Sequence, residues 1–206
     1  MFRWKGLFLG VFVAVGLLSA WGIWRVTHLP DPVVLLNRTL SVSVPLKLRK
    51  DKPLLVLYFR TCEGCELSWL LSWAKVLEAR TWRQTMDCAL VVRTESAALR
   101  KLAQQHRWRV PALADPKGRL EKALGVRYDR HAFGFVQGKL VWQQENPEAS
   151  QSEILQAFLA VAFGRQKARS LYDAWVRELR LAAWGKEVTE QIERHRGHPS
   201  PNATGR

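Results

Sequence analysis

Apolar and polar positions fall into blocks of different period along the chain. Residues 7–24 form an uncharged apolar run, with Arg3 and Lys5 before it and Arg25 after it. The pattern then breaks over residues 27–52. Pro30, Pro32 and Pro45 punctuate short alternating pieces such as Leu40-Ser-Val-Ser-Val44, which predicts a linker with an edge strand or hairpin. Residues 54–59 are apolar at every position and predict a strand covered on both faces. Leu67, Leu70, Leu71, Ala74 and Leu77 recur at intervals of three and four, predicting a helix over residues 63–80. Residues 88–92 predict a second apolar strand. Residues 95–106 predict a helix with Ala98, Leu99, Leu102 and Ala103 inward.

A short strand is expected over 110–114, a turn at Asp115-Pro-Lys-Gly118, and a short helix over 120–124 ended by Gly125. Residues 133–136 and 140–143, joined by Gln137-Gly138, read as a β-hairpin. Residues 152–163 predict an amphipathic helix. Residues 166–193 predict a basic one, with Leu171, Trp175, Leu179, Ala182 and Ala183 set against Lys167, Arg169, Arg177, Arg180 and Lys186. The remaining tail is rich in Pro, Gly, His and Ser, a composition that predicts disorder. The order of elements predicts an α/β sandwich with a mixed central sheet. The domain plan is an anchor over 1–26, a linker over 27–39, a globular domain over 40–164, a helical extension over 165–193 and a tail over 194–206.

The run at 7–24 is about the minimum length for crossing a bilayer. Arg3 and Lys5 favour a cytoplasmic N-terminus, and Trp21 and Trp24 lie where an interfacial aromatic belt would be. A cleaved signal peptide is the competing reading. Leu18-Ser-Ala20 is a poor cleavage site, and the apolar run exceeds a usual signal core, so a retained single-pass anchor is preferred. Both readings carry the domain out of the cytoplasm, which for a Gram-negative bacterium means an inner-membrane protein facing the periplasm.

At 206 residues the chain holds one ordinary domain plus appendages. Its formal charge of +14 raises nucleic acid as a partner. No zinc finger, basic region with heptads or aromatic RNA-binding signature accompanies it, so nucleic acid is not expected. An anionic membrane surface accounts for such a charge equally well. Lys47, Arg49, Lys50 and Lys52 read as a solvated edge. The basic helix over 166–193 can lie on a membrane, on a partner or on its own domain.

The three cysteines are too few for a disulfide scaffold. Cys62 and Cys65 lie between an apolar strand and a helix. That places two sulfurs at a helix N-terminus, where uncapped amides and the helix dipole favour a thiolate. Unreactive thiols or a structural bridge remain the alternatives. Cys88, inside an apolar strand, reads as buried and inert. A zinc site needs four ligands, and no second cysteine pair exists to supply them.

A strand, a Cys-x-x-Cys opening a helix, a βαβ unit, a late hairpin and a closing helix together resemble the thioredoxin-like superfamily. With the N-terminal anchor and Asp115-Pro-Lys-Gly118…Leu124-Gly125-Val126, the chain is most similar to the membrane-anchored TlpA/ResA-type branch of thiol-disulfide oxidoreductases. The resemblance implies a three-layer thioredoxin-like fold over residues 40–164, with no cofactor. Cys62 would attack a substrate disulfide and Cys65 would resolve the mixed disulfide, with Glu63, Gly64, Glu66, Arg130 and His131 around them. Glu63 and Glu66 raise a thiol pKa and favour a reductant. Implied partners are exported thiol or disulfide proteins such as apocytochrome c, and a membrane thiol transporter of the DsbD/CcdA kind as electron donor.

Three positions depart from the family pattern. Thr61 stands where tryptophan is usual, Leu70 where proline is usual, and Arg130 where the family has its cis-proline. Pro111 is the other candidate for that proline. Tyr128-Asp-Arg-His131-Ala-Phe also resembles the histidine segment of Sco-type copper chaperones, which would make Cys62, Cys65 and His131 copper ligands. Taken alone, His131 reads as an exposed loop histidine. A non-catalytic subunit of an envelope assembly is the third reading.

Overall fold

The computed structural model describes residues 31–49, 51–61 and 63–196, excepting the side chains of residues 65 and 187–196. The predicted anchor over 1–26, Lys50, Cys62 and residues 197–206 lie outside the described residues.

Helix α1 (Pro32–Arg38) precedes strand β1 (Leu54–Phe59), α2 (Gly64–Leu77), α3 (Arg80–Thr85) and β2 (Asp87–Val92). Then follow α4 (Ser96–Gln105), β3 (Ala112–Ala114), α5 (Arg119–Leu124), the hairpin β4 (Arg130–Val136) and β5 (Lys139–Gln143), α6 (Gln151–Phe163) and α7 (Arg165–Arg196). The sheet order is β3-β2-β1-β4-β5. β1, β2 and β3 run parallel, and β4 returns antiparallel to β1. β1 is therefore central, which explains why all six of its positions are buried. Residues of α2, α4 and α6 pack with Leu55, Leu57 and Phe59 on one face. Residues of α1 and α5 pack with Leu54, Val56 and Tyr58 on the other. This three-layer arrangement fits a thioredoxin-like α/β fold. Among the described residues no helix is long and apolar enough to cross a membrane.

The hairpin turns at Gln137 and Gly138, both with positive φ, as a two-residue connection in a right-twisted ribbon requires. Gly134 in β4 lies so close to α6 that a Cβ there would stand 2.3 Å from the Phe158 ring. Ser150 and Glu153 close a capping box at the start of α6.

Three regions differ from the sequence expectation. Within the predicted linker, Asp31 caps α1 by accepting from the Val33 amide at 2.8 Å, and Pro32 takes the first helical position. Leu36 of that helix is fully buried. The alternating piece that follows adds to the sheet edge: Ser41 bridges Leu113, and the Val42 amide donates to the Ala112 carbonyl at 2.8 Å.

The basic cluster is not simply a solvated edge. The Arg49 guanidinium pairs with the buried Asp87 carboxylate at 2.6 Å, and the Lys52 ammonium donates to the Gln84 carbonyl.

The helix expected over 63–80 stops at Leu77, and α3 starts afresh at Arg80. Glu178 of α7 caps the new start. Its carboxylate accepts from the Arg80 amide at 2.7 Å, the Thr81 amide at 3.0 Å and the Thr81 hydroxyl at 2.7 Å. The first part of the C-terminal extension thus packs on its own domain. Trp175 is buried there, with its ring 5.5 Å from that of Trp82. Farther along, Leu179, expected on the apolar face with Trp175, is exposed, as are Leu181 and Trp184.

Candidate functional site

Strand β1 delivers the chain through Arg60 and Thr61 to the cysteine pair. Cys62 and the Cys65 side chain lie outside the described residues, but the frame around them is defined. The Thr61 hydroxyl accepts from the Glu63 amide at 3.2 Å. Glu63 is exposed, has extended backbone and makes no side-chain cap to the first-turn amides of α2. Gly64 has φ +55, a conformation that side chains rarely adopt. Cys65 and Glu66 then occupy the first turn of α2.

Arg130 begins β4 directly opposite Phe59, at the strand end that leads into this turn. Its Nε lies 3.6 Å from Glu66 Oε2, and its guanidinium sits over the Trp69 ring, 4.2 Å from the centroid. The fold therefore brings Glu66 and Arg130 together beside the first turn of α2. Trp69 completes the group, although sequence reasoning did not assign it to the site. The available signal was its position four residues after Cys65 on the same helix. The pairing also alters the expected electrostatics. Glu63 stands in solvent, and the charge of Glu66 is opposed by Arg130.

No cis peptide bond occurs among the described residues. Pro111 precedes β3, which runs parallel to β1 with β2 between them. Ala112 is level with Leu90 and Leu57, so Pro111 lies near the level of Val56 at mid-strand, on the β3 edge of the sheet and not beside the cysteine turn. Arg130 is the residue that holds the position next to that turn.

Asp115 and Gly118 serve the scaffold. The buried Asp115 carboxylate accepts from the Tyr58 hydroxyl at 3.0 Å and from the Arg119 and Glu121 amides at 2.8 and 2.9 Å. This ties the start of α5 to β1. Burial, with Asp115 alongside, raises the Tyr58 hydroxyl far above its ordinary pKa. Arg60 is held at the same end of the sheet by Glu121 at 2.9 Å and by the Val126 carbonyl at 3.1 Å. Cys88 is half-buried in β2, where burial pushes its thiol up to about 12, consistent with an inert thiol.

His131 is not an exposed loop histidine. It belongs to β4 and is 2% exposed. Its Nδ1 accepts from the Arg127 amide at 3.1 Å, and its Nε2 donates to the Gln144 carbonyl at 3.0 Å. These partners select the neutral Nε2–H tautomer and occupy both ring nitrogens. Register pairs His131 with Tyr58, and its ring centroid lies 4.3 Å from that of Phe133. It thus faces away from α2, which packs on the other side of β1. In this arrangement the histidine offers no free nitrogen to a metal.

Burial lowers the His131 pKa, and the Arg127 and Arg60 charges act in the same direction against the Gln144 carbonyl. A depressed histidine pKa stabilises the fold above the unfolded value of about 6.5, and that contribution fades as pH falls through the folded value. Stability measured by denaturant titration is expected to decline below about pH 6.5, and His131→Gln is expected to flatten that decline. An unchanged slope in the variant would assign the decline to other groups.

No family model matches the chain, and no curated protein matches it. Among solved structures, it is similar to the pneumococcal exposed lipoprotein thioredoxin Etrx1 of Streptococcus pneumoniae. The identity is 19% over 58% of this chain and 95% of that one, with a TM-score of 0.47. The N-terminal domain of PilB from Neisseria gonorrhoeae is 14% identical over 63% of this chain and 89% of that one, with a TM-score of 0.49. A secreted Mycobacterium tuberculosis disulfide oxidoreductase homologous to E. coli DsbE is 12% identical over 66% and 93%, with a TM-score of 0.43.

Proposed function

We propose that the chain is a thiol-disulfide oxidoreductase that reduces disulfides of exported proteins while held at the bacterial inner membrane by residues 1–26, its domain in the periplasm. One observation carries the reading: in the sequence Cys62-Glu-Gly-Cys65 lies between the end of the central strand and the first turn of α2, which the Glu63 side chain does not cap. A thiolate gains there from the helix dipole and the first-turn amides. The Cys62 thiolate attacks one sulfur of a substrate disulfide. The other substrate sulfur leaves as a thiolate and takes up a proton. Cys65, deprotonated, then attacks Cys62 Sγ and expels the second substrate thiolate. The substrate disulfide gains two electrons and becomes a dithiol, while Cys62 and Cys65 become a disulfide. A membrane dithiol carrier is proposed to re-reduce that disulfide.

The copper reading draws nothing from His131, whose nitrogens are both engaged on the far face of the sheet. A trap tests the proposal. In Cys65→Ser, the mixed disulfide formed by Cys62 has no resolving thiol. Thiol-sensitive adducts are expected on non-reducing gels, and Cys62→Ser/Cys65→Ser should remove them. Absence of adducts, or their persistence in the double variant, sinks the reading.

A further inference from the structure

Helix α7 is held in one rotational setting. Trp175 is buried beside Trp82, and the Glu178 carboxylate accepts from the Arg80 and Thr81 amides. Arg177, Arg180, Leu181 and Trp184 follow the spacing i, i+3, i+4, i+7, which gathers them on one face of the helix. At 3.6 residues per turn that face lies opposite Trp175. All four residues are exposed, Leu181 at 67% and Trp184 at 64%. Trp175 is the last buried residue of α7 among those whose side chains are described, and Trp184 stands about 14 Å farther along the axis. Apolar side chains scattered singly over a surface need no partner. These two are neighbours on the helix, and each follows an arginine by four residues.

The charges around the face have one sign. Over residues 165–186 the helix carries six basic residues and two acidic ones. Glu178 is committed to the start of α3, and the exposed Asp173 lies one turn before Arg177. An isologous contact with a second copy would bring Arg177 and Arg180 toward their own counterparts on a chain of formal charge +14. A stable protein partner needs about 20–30 residues a side, far more than this patch supplies. A lipid surface asks for neither shape nor extent. Leucine and tryptophan enter the headgroup region there, while arginines lay their stems along the apolar boundary and keep their charges at the phosphates.

We propose that the face of α7 formed by Arg177, Arg180, Leu181 and Trp184 docks on an anionic lipid membrane, as a contact separate from residues 1–26. Because the face lies opposite Trp175, the domain then stands on the far side of α7 from the lipid. The Trp175 and Glu178 contacts carry the orientation of the docked helix into the domain. The proposal goes beyond the reduction chemistry and uses neither cysteine.

Hydrogen exchange over residues 178–186 tests it on the full chain reconstituted in vesicles. One set of vesicles mixes phosphatidylglycerol with phosphatidylcholine, and the other is phosphatidylcholine alone. Two basic side chains at an anionic surface favour the docked state about thirtyfold. Exchange is therefore expected to be about thirtyfold slower in the anionic vesicles. Arg177→Gln/Arg180→Gln should bring the two lipids level, and Arg177→Lys/Arg180→Lys should keep the difference. Leu181→Ser/Trp184→Ser should also abolish it, since the apolar pair seats the helix in the interface. Each variant is compared with itself in the two lipids, so altered helix propensity cancels. Whatever residues 1–26 contribute is common to all variants, and circular dichroism confirms that each is folded. Equal exchange of the unmodified chain in the two lipids overturns the proposal. So does a difference that survives both the glutamine and the serine pair. Protection in lipid-free detergent that rises with protein concentration overturns it as well, and assigns the face to a second copy. Each of these results leaves the trap with Cys65→Ser unaffected.

Discussion

Gly134→Ala is expected to destabilise the fold by about 3 kcal/mol, at the upper end of the range for overpacking. The added Cβ would stand 2.3 and 2.5 Å from two carbons of the Phe158 ring, well inside contact distance. Neither side has room to yield. Gly134 is paired on one side with Leu55 of the central strand and on the other with Trp142 of β5. Phe158 is fully buried, and its ring lies 6.1 Å from that of Trp142. A compensating change separates this clash from any intrinsic effect of alanine in a strand. Phe158→Leu in the Gly134→Ala background should recover part of the loss, giving a coupling energy in a double-mutant cycle of unfolding free energies. If the two changes simply add, the clash is not the cause.

Trp175→Ala carries the second large effect, about 3–5 kcal/mol by the usual cost of truncating a buried tryptophan. Its consequences extend beyond the lost packing. Trp175 docks α7 on Trp82 of α3, with ring centroids 5.5 Å apart, and Tyr172 of the same helix flanks it at 5.4 Å. One turn later on the same helix, Glu178 caps α3. Releasing α7 should therefore uncap α3 as well. Hydrogen exchange at the Arg80 and Thr81 amides is expected to accelerate in Trp175→Ala. Glu178→Gln should reproduce that acceleration with a global loss of only about 1 kcal/mol, in the range of a lost cap. Protected amides at these positions in Trp175→Ala would mean that the cap forms independently of the tryptophan.

What could be read from the sequence was whatever is encoded locally. The all-apolar run of β1, the Gln137-Gly138 turn and the glycine stop at Gly125 each act within a few residues, and each element formed where its pattern placed it. The helix break at Glu78 and Ala79 could not be read in this way, because the carboxylate that starts α3 lies 98 residues from Arg80. Helix α1 was legible in principle, since Asp31-Pro32 is an N-terminal signature, but the surrounding prolines hid it. At the site, the strand-to-helix setting of the cysteines and the place of Arg130 followed from pattern. The pairing of Arg130 with Glu66 and its seat on Trp69 required the register of β4 against β1. His131 misled because its polarity suggested a loop. The Arg127 amide and the Gln144 carbonyl that satisfy its ring are backbone groups, which side-chain identity does not reveal.

The silent thiol of Cys88 bears on how the chain reaches its working state. Before the sheet closes, Cys62, Cys65 and Cys88 are chemically alike, and oxidation can join any two of them. Incorporation of β2 ends that equivalence. Cys88 is then paired with Leu55, four residues upstream of Phe59. At about 3.3 Å per residue, this leaves roughly 13 Å of strand between its level and the end of β1, well beyond the reach of a disulfide. Burial removes its thiolate at the same time. Mispairing is thus a hazard of the nascent chain alone. In the periplasmic location proposed above, the chain would have to fold its first two strands before oxidant reaches it, or meet an isomerase afterwards.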